Sequence, residues 1–372
     1  MRDPNNPFIL SGYHSPAYFC NRDKELAWLL DQFQNERNAV IYAYRRIGKT
    51  LLIQHFFYHL EKQKKNHAVF VDLLGTSNLR EANQRIAEAI ISKFGNLKQG
   101  IGKNMLSLLG AIGAKVSIDP LTGLPEISFG LTKGISIDQS MEALGNYLKG
   151  QKKQIVIAID EFQQITNYSN ENAEAVFRSW TQQFPMIRFV FSGSHRNMMQ
   201  SMFADQNRPF YGSAQLMSID PLESKVYKKF IQSFFAKQGT KVPDEVLQDI
   251  FSWCRMQTYY VQLFCNKLYA RQEASQGAVN EIKQEILQQE VYVFSNYHQL
   301  FTKFQWQLLK AIAQEEAIES PNSKAFVSKH GLGAASSVST ALKTLVKKEF
   351  VVLDEARYRI HDTLFMRWLQ QL

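Results

Sequence analysis

A short basic segment carries the residue types that bind phosphate in proteins. It runs from Ala43 to Thr50 and closes with Gly48, Lys49 and Thr50. Residues 39–42, which precede it, are apolar and typical of a buried strand, and the residues from Leu51 onward are typical of a helix. A loop between a strand and a helix aims backbone N–H groups and the positive end of the helix at an anion. The segment therefore predicts a phosphate-binding loop, whose binding residues are Tyr44, Arg45, Arg46, Ile47, Gly48, Lys49, Thr50 and Leu51.

Three residues of this loop have separate expected roles. Gly48 lets the backbone approach a phosphate because it has no Cβ atom. Lys49 is expected to reach the β- and γ-phosphates, and the Thr50 hydroxyl is expected to ligate Mg²⁺. Ala43 stands where the usual pattern has its first glycine, and alanine adds a methyl group and a preference for negative φ. The alternative interpretation is a basic turn that binds no nucleotide.

A second segment supplies carboxylates for the same kind of site. Residues 154–159 form a nearly continuous apolar run that is followed by Asp160 and Glu161, as expected of a parallel strand buried on both faces. Ligands of such sheets bind beyond the carboxyl ends of the strands. Asp160 is therefore predicted to hold Mg²⁺, directly or through water, and Glu161 to polarise a water for attack on the γ-phosphate. Alternatively, Asp160 caps the strand and Glu161 is solvated.

A third apolar run, residues 187–191, is followed by Ser192, Gly193 and Ser194. A polar residue at this end of the sheet is expected to sense the γ-phosphate and to position the attacking water. Ser192 and Ser194 are the candidates for that role. Alternatively, the two serines begin the next helix, since serine is a good N-cap residue.

The composition of the whole chain limits the classes of protein to consider. The chain has 372 residues, enough for two or three domains, and its 45% hydrophobic and 21% charged residues are ordinary for a soluble globular protein. Three scattered cysteines give neither a disulfide framework nor metal-ligand spacing. The polar N-terminus predicts no signal peptide, and no apolar run is long enough to span a bilayer. We therefore expect a cytoplasmic protein, and its net charge of +9 fits a polyanionic partner, of which nucleotide is one.

The apolar patterns also predict the elements that must position these residues. Residues 1–220 are expected to form an α/β core, a P-loop NTPase parallel sheet flanked by helices, with an inserted hairpin near 113–131 that could bind a partner. Residues 221–298 are expected to form an all-α subdomain. Arg22, beside the aromatic pair Tyr18 and Phe19, could form one wall of an adenine pocket, and core packing of the aromatic pair is an equal alternative.

Residues 299–372 are expected to form a winged-helix domain of three helices and a hairpin. In a DNA-binding version of this fold, the third helix enters the major groove. Here that helix carries serines, threonines and Lys343, without the Arg, Asn and Gln side chains that read bases. These residues could contact phosphate or be the solvated face of an ordinary helix. We therefore favour docking of a protein partner, or autoinhibition, over direct DNA binding.

Together these residues resemble the archaeal-type P-loop ATPase family, which is related to the signal-transduction, AAA-type and origin-recognition ATPases. The similarity is carried by residues 19–25, 45–50, 159–162, 191–194 and 358–362, with Tyr211, Gly212, Phe365 and Trp368. The resemblance implies an ATP-binding core with ATP or ADP and Mg²⁺, a helical lid and a C-terminal winged helix. Besides Ala43, the chain departs from the family at Ser213, where an arginine is frequent, and at residues 255–260, which lack the usual glycine and proline.

Three functions follow as expectations. The leading one is a slow Mg²⁺-dependent ATPase that acts as a conformational switch. The second is a nucleotide-responsive DNA-binding protein that uses the winged helix. The third is a scaffold that keeps nucleotide for stability without turning it over.

Overall fold

The computed structural model describes residues 3–95, 102–118, 125–129, 135–169, 171–354 and 356–372. The chain divides into two compact units. The first unit comprises Met1–Pro4 and Ile9–Tyr227, and the second comprises Asn5–Phe8 and Lys228–Leu372. None of the helices in the described ranges is both long and apolar enough to cross a membrane.

A five-stranded parallel sheet organises the first unit. Its helices and strands are, in chain order, α1 (Asp23–Gln34), β1 (Ala39–Tyr42), α2 (Lys49–Lys62), β2 (Asn66–Asp72), α3 (Leu79–Phe94), α4 (Lys103–Ala111), β3 (Ala114–Ile118), β4 (Pro125–Phe129), α5 (Ile137–Lys149), β5 (Gln154–Asp160), α6 (Ala173–Gln183), β6 (Ile187–Gly193), α7 (Arg196–Ala204) and β7 (Gln215–Ser218). The strand order is β2-β5-β6-β1-β7, and every pair is parallel. The predicted fold class, a parallel sheet flanked by helices, is confirmed.

Both faces of this sheet are covered, because successive side chains of a strand point to opposite faces. In β5, Ile155, Ile157 and Ile159 belong to one core cluster, whereas Val156 and Ala158 belong to the other. The first cluster also contains apolar residues of α3, α5, α6 and α7, and the second contains those of α1 and α2. Burial on both faces explains why the sequence of β5 is apolar without alternation.

The long connection between β2 and β5 contains additional structure. It includes α4 and an antiparallel pair, β3 and β4, in which Ala114 lies opposite Phe129 and Ile118 opposite Pro125. This pair occupies the segment where the sequence predicts an inserted hairpin. The predicted turn, residues 119–124, lies outside the described residues.

The second unit is mainly helical and ends in a small antiparallel pair. It contains most of α8 (Ser224–Lys237), then α9 (Asp244–Trp253), α10 (Thr258–Arg271), α11 (Gln276–Tyr297), α12 (Lys303–Glu315), α13 (Lys324–Lys329), α14 (Ala335–Lys347), β8 (Val351–Asp354), β9 (Arg357–Ile360) and α15 (Thr363–Leu369). The three helices α12 to α14 followed by the β8–β9 hairpin are the elements expected of a winged helix. The boundaries predicted at residues 221, 298 and 299 stay predictions.

A short N-terminal segment is part of the core of the second unit. Phe8 is fully buried, and its ring centroid lies 5.4 Å from that of Phe235 and 5.8 Å from that of Tyr269. The backbone is held as well, because Asn266 Nδ2 donates to the Phe8 carbonyl at 2.8 Å and Asn6 Nδ2 donates to the Asn266 carbonyl at 2.9 Å. The helices around α10 therefore depend on residues that precede the parallel sheet in the chain.

Within the second unit, the helices around α10 and the C-terminal helix α15 are joined by polar contacts. Arg367 donates to the Trp253 carbonyl at 3.1 Å, and the Tyr260 hydroxyl donates to Asp362 Oδ1 at 3.2 Å. Arg255 and Met256, which lie between α9 and α10, have φ values of +51° and +56°. This is the left-handed conformation that favours glycine. These residues lie where the sequence lacks the glycine that its resemblance to the archaeal-type ATPases leads us to expect.

Candidate functional site

The loop between β1 and α2 has the backbone of a phosphate-binding site. Gly48 has φ +99° and is the N-cap of α2, and Arg46 has φ +67°. No side chain caps α2, so its first N–H groups are directed at the space in front of the helix. Such a helix start attracts anions, because the N–H groups and the helix dipole act together.

Ala43 fits this loop without strain. It is fully buried, it has a negative φ, and its N–H donates to the Gly193 carbonyl at 3.3 Å. A glycine is required only where φ is positive or where a Cβ atom would collide. The replacement of the usual glycine therefore leaves the loop conformation intact.

Lys49 lies buried at the start of α2. Its Nζ donates to the carbonyls of Ala43 at 3.3 Å and of Tyr44 at 3.4 Å, and only 6% of the residue is exposed. Burial lowers the pKa of Lys49, while the carboxylates of Glu161 and Asp160 act in the opposite direction. A polyphosphate beside this amine would favour its charged form. The lysine is thus placed to exchange two carbonyl acceptors for phosphate oxygens.

Thr50 and Asp160 come together although 110 residues separate them in the chain. The Thr50 hydroxyl donates to Asp160 Oδ2 at 2.7 Å, and the other oxygen, Oδ1, accepts the N–H of Glu161 at 3.0 Å. A hydroxyl and a carboxylate are the oxygen ligands that Mg²⁺ accepts beside phosphates and water. No cluster of three or more His, Cys, Asp or Glu residues suited to a metal occurs among the described residues. The pair supplies two oxygen ligands that fit an Mg²⁺ ion bound together with phosphate oxygens.

Glu161 lies one residue beyond β5, in a left-handed conformation with φ +50°. Its Oε2 accepts a hydrogen bond from Ser194 Oγ at 2.6 Å and a second one from Gln163 Nε2. Ser192 is fully buried in β6, and its Oγ has no hydrogen-bond partner among the described residues. The alternative in which a serine caps α7 is wrong, because the N-cap residue is His195, whose side chain accepts no capping hydrogen bond.

The other residues expected to bind nucleotide surround the loop in different ways. Arg22 is buried, donates to Glu25 Oε1 at 2.7 Å and lies 3.5 Å from the Ile47 carbonyl. Ile47 itself belongs to the core on the α1 and α2 face, whereas Arg45 and Arg46 are exposed and Leu51 is partly buried. The guanidinium carbon of Arg196 lies 5.0 Å from the centroid of the Tyr44 ring.

Tyr18 and Phe19, the aromatic pair before α1, each pack against a histidine ring. Phe19 stacks on His55 with 4.3 Å between ring centroids, and Tyr18 packs edge-on against His14 at 5.2 Å. One face of Phe19 is therefore covered by protein. Its place in an adenine pocket stays a prediction, as does that of Arg22.

Two residues at this edge of the sheet were missed by sequence analysis. Asp72 ends β2 directly opposite Asp160 in the sheet register. The pKa of Asp72 is raised, mainly by burial and in addition by the nearby carboxylates of Asp160 and Glu161. The hydrogen bond from the Leu74 N–H partly opposes this shift. The sequence pattern could have identified Asp72, because β2 is an apolar run that ends in Asp, as β5 is. The second residue, Gln163, is marked by no comparable sequence pattern.

The chain was compared with protein families and with solved structures. Residues 19–264 match the model of a family described as an ATPase domain predominantly from Archaea, and residues 292–371 match that of a probable winged helix domain. The fold and the loop geometry define a P-loop NTPase with a C-terminal winged helix. Because the first match spans more than half of the chain, the protein belongs to this archaeal-type ATPase family.

Solved structures with the same fold share little sequence with the chain. A Walker-type ATPase of Pyrococcus abyssi is 15% identical with a TM-score of 0.69, and the match covers 98% of this chain and 99% of that one. The ORC2 protein of Aeropyrum pernix in ADPNP–ADP complexes is 13% identical with a TM-score of 0.60, covering 98% and 96%. The ORC1 protein of Aeropyrum pernix in complex with DNA is 14% identical with a TM-score of 0.53, covering 99% and 96%. A search of curated proteins gives no match.

Proposed function

We propose that the protein binds ATP and ADP with Mg²⁺ at the loop between β1 and α2, and that it hydrolyses ATP slowly as a conformational switch. The observation that carries this proposal is the contact of Thr50 Oγ1 with Asp160 Oδ2 at 2.7 Å. It joins the start of α2 to the end of β5, which supports the proposal that the phosphate-binding residues and the carboxylates form one site. Family membership supports ATP as the ligand.

Binding of nucleotide and Mg²⁺ is assigned to the loop between β1 and α2 and to the side chains of Thr50 and Asp160. The N–H groups at the start of α2 would hold the phosphates, and Lys49 would turn from the carbonyls of Ala43 and Tyr44 to the β- and γ-phosphates. Thr50 and Asp160 would hold Mg²⁺ directly or through water. When bound, Mg²⁺ neutralises charge on the phosphate oxygens.

Hydrolysis needs a base beside the γ-phosphate, and Glu161 is the candidate. Its carboxylate would accept a proton from a water whose oxygen forms the new bond to the γ-phosphorus. The bond between that phosphorus and the bridging oxygen breaks, and ADP leaves with the electron pair. Ser194, which donates to the same carboxylate, would keep it oriented.

The proposed switch is based on hydrogen bonds within the second unit that connect α15 to the end of α9. Arg367 of α15 donates to the carbonyls of Ser252 and Trp253, both at 3.1 Å, and thereby joins the winged helix to α9. Helices α9 and α10 belong to the segment that the resemblance to the family assigns to the lid. A lid that responds to nucleotide would therefore carry its movement into the winged helix.

The test of hydrolysis compares the wild-type protein with Glu161→Gln. We expect phosphate release by the wild type, and a fall of about 100-fold or more in the variant, since a general base contributes about that factor. ATP affinity should be retained, because the substituted group does not bind phosphate. Full turnover by Glu161→Gln would remove Glu161 from this role.

Duplex DNA binding through α14 is the alternative function. Lys343 and Lys347 are exposed on this helix, as a phosphate-contacting surface requires. In the hairpin, however, Arg359 pairs with Asp354 and Arg357 pairs with Glu319 at 2.9 Å, so both arginines already have acidic partners. For this reason we favour a protein partner for the winged helix.

A gel-shift measurement at low salt separates these alternatives. If α14 binds DNA, duplex should be retarded by the wild-type protein, and the double variant Lys343→Ala and Lys347→Ala should weaken binding with a shallower salt dependence. Absence of a shift at low salt would exclude the DNA-binding alternative.

A further inference from the structure

The Gln163 side chain lies beside the carboxylate of Glu161. Gln163 belongs to a short 3-10 helix, Phe162–Asn167, that follows β5 directly, and only 8% of the residue is exposed. Its Nε2 donates to Glu161 Oε2 and lies 3.4 Å from Ser194 Oγ. Two donors from different elements, the amide of Gln163 and the hydroxyl of Ser194, thus hold one oxygen of the carboxylate.

The other carboxylate oxygen of Glu161, Oε1, is available to accept a proton from a water. No hydrogen bond to Oε1 is made within the described residues, whereas Oε2 accepts two. A carboxylate held by one oxygen presents the second in a fixed direction, which is the requirement for removing a proton from a positioned water. The asymmetry between the two oxygens is produced by Gln163 and Ser194 together.

The orientation of the Gln163 amide is dictated by its neighbours. Rotation of the amide by half a turn would place its carbonyl oxygen against the Glu161 carboxylate, and two acceptors repel each other. In the orientation seen, Oε1 of Gln163 is buried and accepts no hydrogen bond from the part of the chain that the structure describes. Leaving a buried acceptor without a hydrogen bond is unfavourable, so an apolar residue of similar size would be the more favourable choice at this place. A glutamine here is therefore explained by what its NH₂ group binds.

Gly193 provides the space that Gln163 occupies. A Cβ atom at position 193 would lie 2.4 Å from Gln163 Oε1 and 2.5 Å from Met199 Cγ. The φ of Gly193 is not positive, so the backbone conformation itself does not call for glycine. A side chain at this position would therefore collide with both Gln163 and Met199 as they are placed.

We propose that Gln163 is a positioning residue for ATP hydrolysis, which holds Oε2 of Glu161 so that Oε1 faces the attacking water, and that Gly193 is the position that admits it. This inference rests on the proposed function, since it assigns Gln163 a part in the reaction at the same site. Gln163 acts through Glu161 and does not itself contact the nucleotide in this account.

The test uses Gln163→Leu in the full-length protein and Gln164→Leu as the matched control. Gln164 is the next residue of the same short helix, and its Nε2 donates to the Thr76 carbonyl at 3.0 Å, away from Glu161. We expect Gln163→Leu to lower kcat for ATP by about 10- to 100-fold, because a misplaced catalytic group costs about this factor. The dissociation constant for ATP should change by less than about threefold, since no phosphate contact is lost. Gln164→Leu should keep the wild-type kcat.

A further readout separates positioning from loss of structure. The double variant Glu161→Gln and Gln163→Leu should be no slower than Glu161→Gln alone, since Gln163 acts only through Glu161. If Gln163→Leu fails to fold, Gln163→Asn replaces it, because it keeps the amide but is one methylene too short to reach Glu161.

The outcomes distinguish this inference from the function on which it rests. A wild-type kcat in Gln163→Leu, an equal fall in Gln164→Leu, or additive losses in the double variant would overturn the role of Gln163 while ATP hydrolysis stands. If the wild-type protein binds ATP but releases no phosphate, the proposed hydrolysis fails, and the role of Gln163 fails with it.

Discussion

His55 of α2 makes the stability of the nucleotide-binding unit depend on pH. The residue is buried, with 5% of its surface exposed, Phe19 is stacked on its ring, and the Tyr13 hydroxyl lies 2.8 Å from its Nδ1. Burial, with a smaller contribution from His59, lowers the pKa of His55 from 6.5 to about 4. The folded protein therefore keeps the ring neutral at pH values where the unfolded chain is protonated.

The sign of the effect follows from proton linkage. Above pH 6.5 neither state carries the proton, and the contribution of His55 to stability is constant. As the pH falls from 6.5 to about 4, the unfolded state binds the proton first and the folded state loses stability. One pKa unit corresponds to about 1.4 kcal/mol, which sets an upper limit of about 3 kcal/mol. At pH 5, with solvent screening, we expect a loss of about 1 to 2 kcal/mol.

Urea unfolding at pH 7.5 and at pH 5 measures this loss. The wild-type free energy of unfolding should fall by about 1 to 2 kcal/mol more than that of His55→Gln, whose side chain does not titrate. The comparison uses the difference between the two proteins in this fall of the free energy of unfolding, because all other titrating groups are common to both. Equal falls in the two proteins would refute the assignment of the pH dependence to His55.

Three further outcomes are expected from other parts of the chain. Phe8→Ala should destabilise the second unit by about 3 to 5 kcal/mol, since the ring is fully buried among three aromatic rings; unchanged urea unfolding would contradict this. Met256→Gly should stabilise the protein by about 1 kcal/mol relative to Met256→Ala, because φ is +56°; equal midpoints would show that no strain is relieved. Thr50→Val should weaken the Mg²⁺ dependence of ATP binding, and an unaltered Mg²⁺ titration would remove the hydroxyl from the metal site.

The parts of the fold predicted from the sequence are those fixed by local pattern. The strand, loop and helix around Lys49 are consecutive in the chain, and the apolar run before Asp160 identifies a strand buried on both faces. Because parallel strands share one carboxyl edge, these two segments predict the proximity of Thr50 and Asp160. The structure gives that contact at 2.7 Å.

What the sequence does not reveal depends on contacts between distant residues or on unusual backbone angles. Gln163 contacts Ser194, which follows β6 and lies 31 residues later in the chain, and no pattern in either segment predicts that pair. Phe8 joins a core made of residues more than 200 positions later. Arg255 and Met256 adopt a conformation for which their residue types have no preference.

Lys49 allows the most direct test of the central claim, that this site binds ATP. Isothermal titration of ATP with Mg²⁺ into purified, nucleotide-free protein compares the wild type with Lys49→Ala. The control is Lys62→Ala, which removes an exposed lysine at the other end of the same helix. The account predicts saturable binding to the wild type and to Lys62→Ala, and none to Lys49→Ala. Unchanged ATP affinity in Lys49→Ala, or no binding to the wild type, would contradict it.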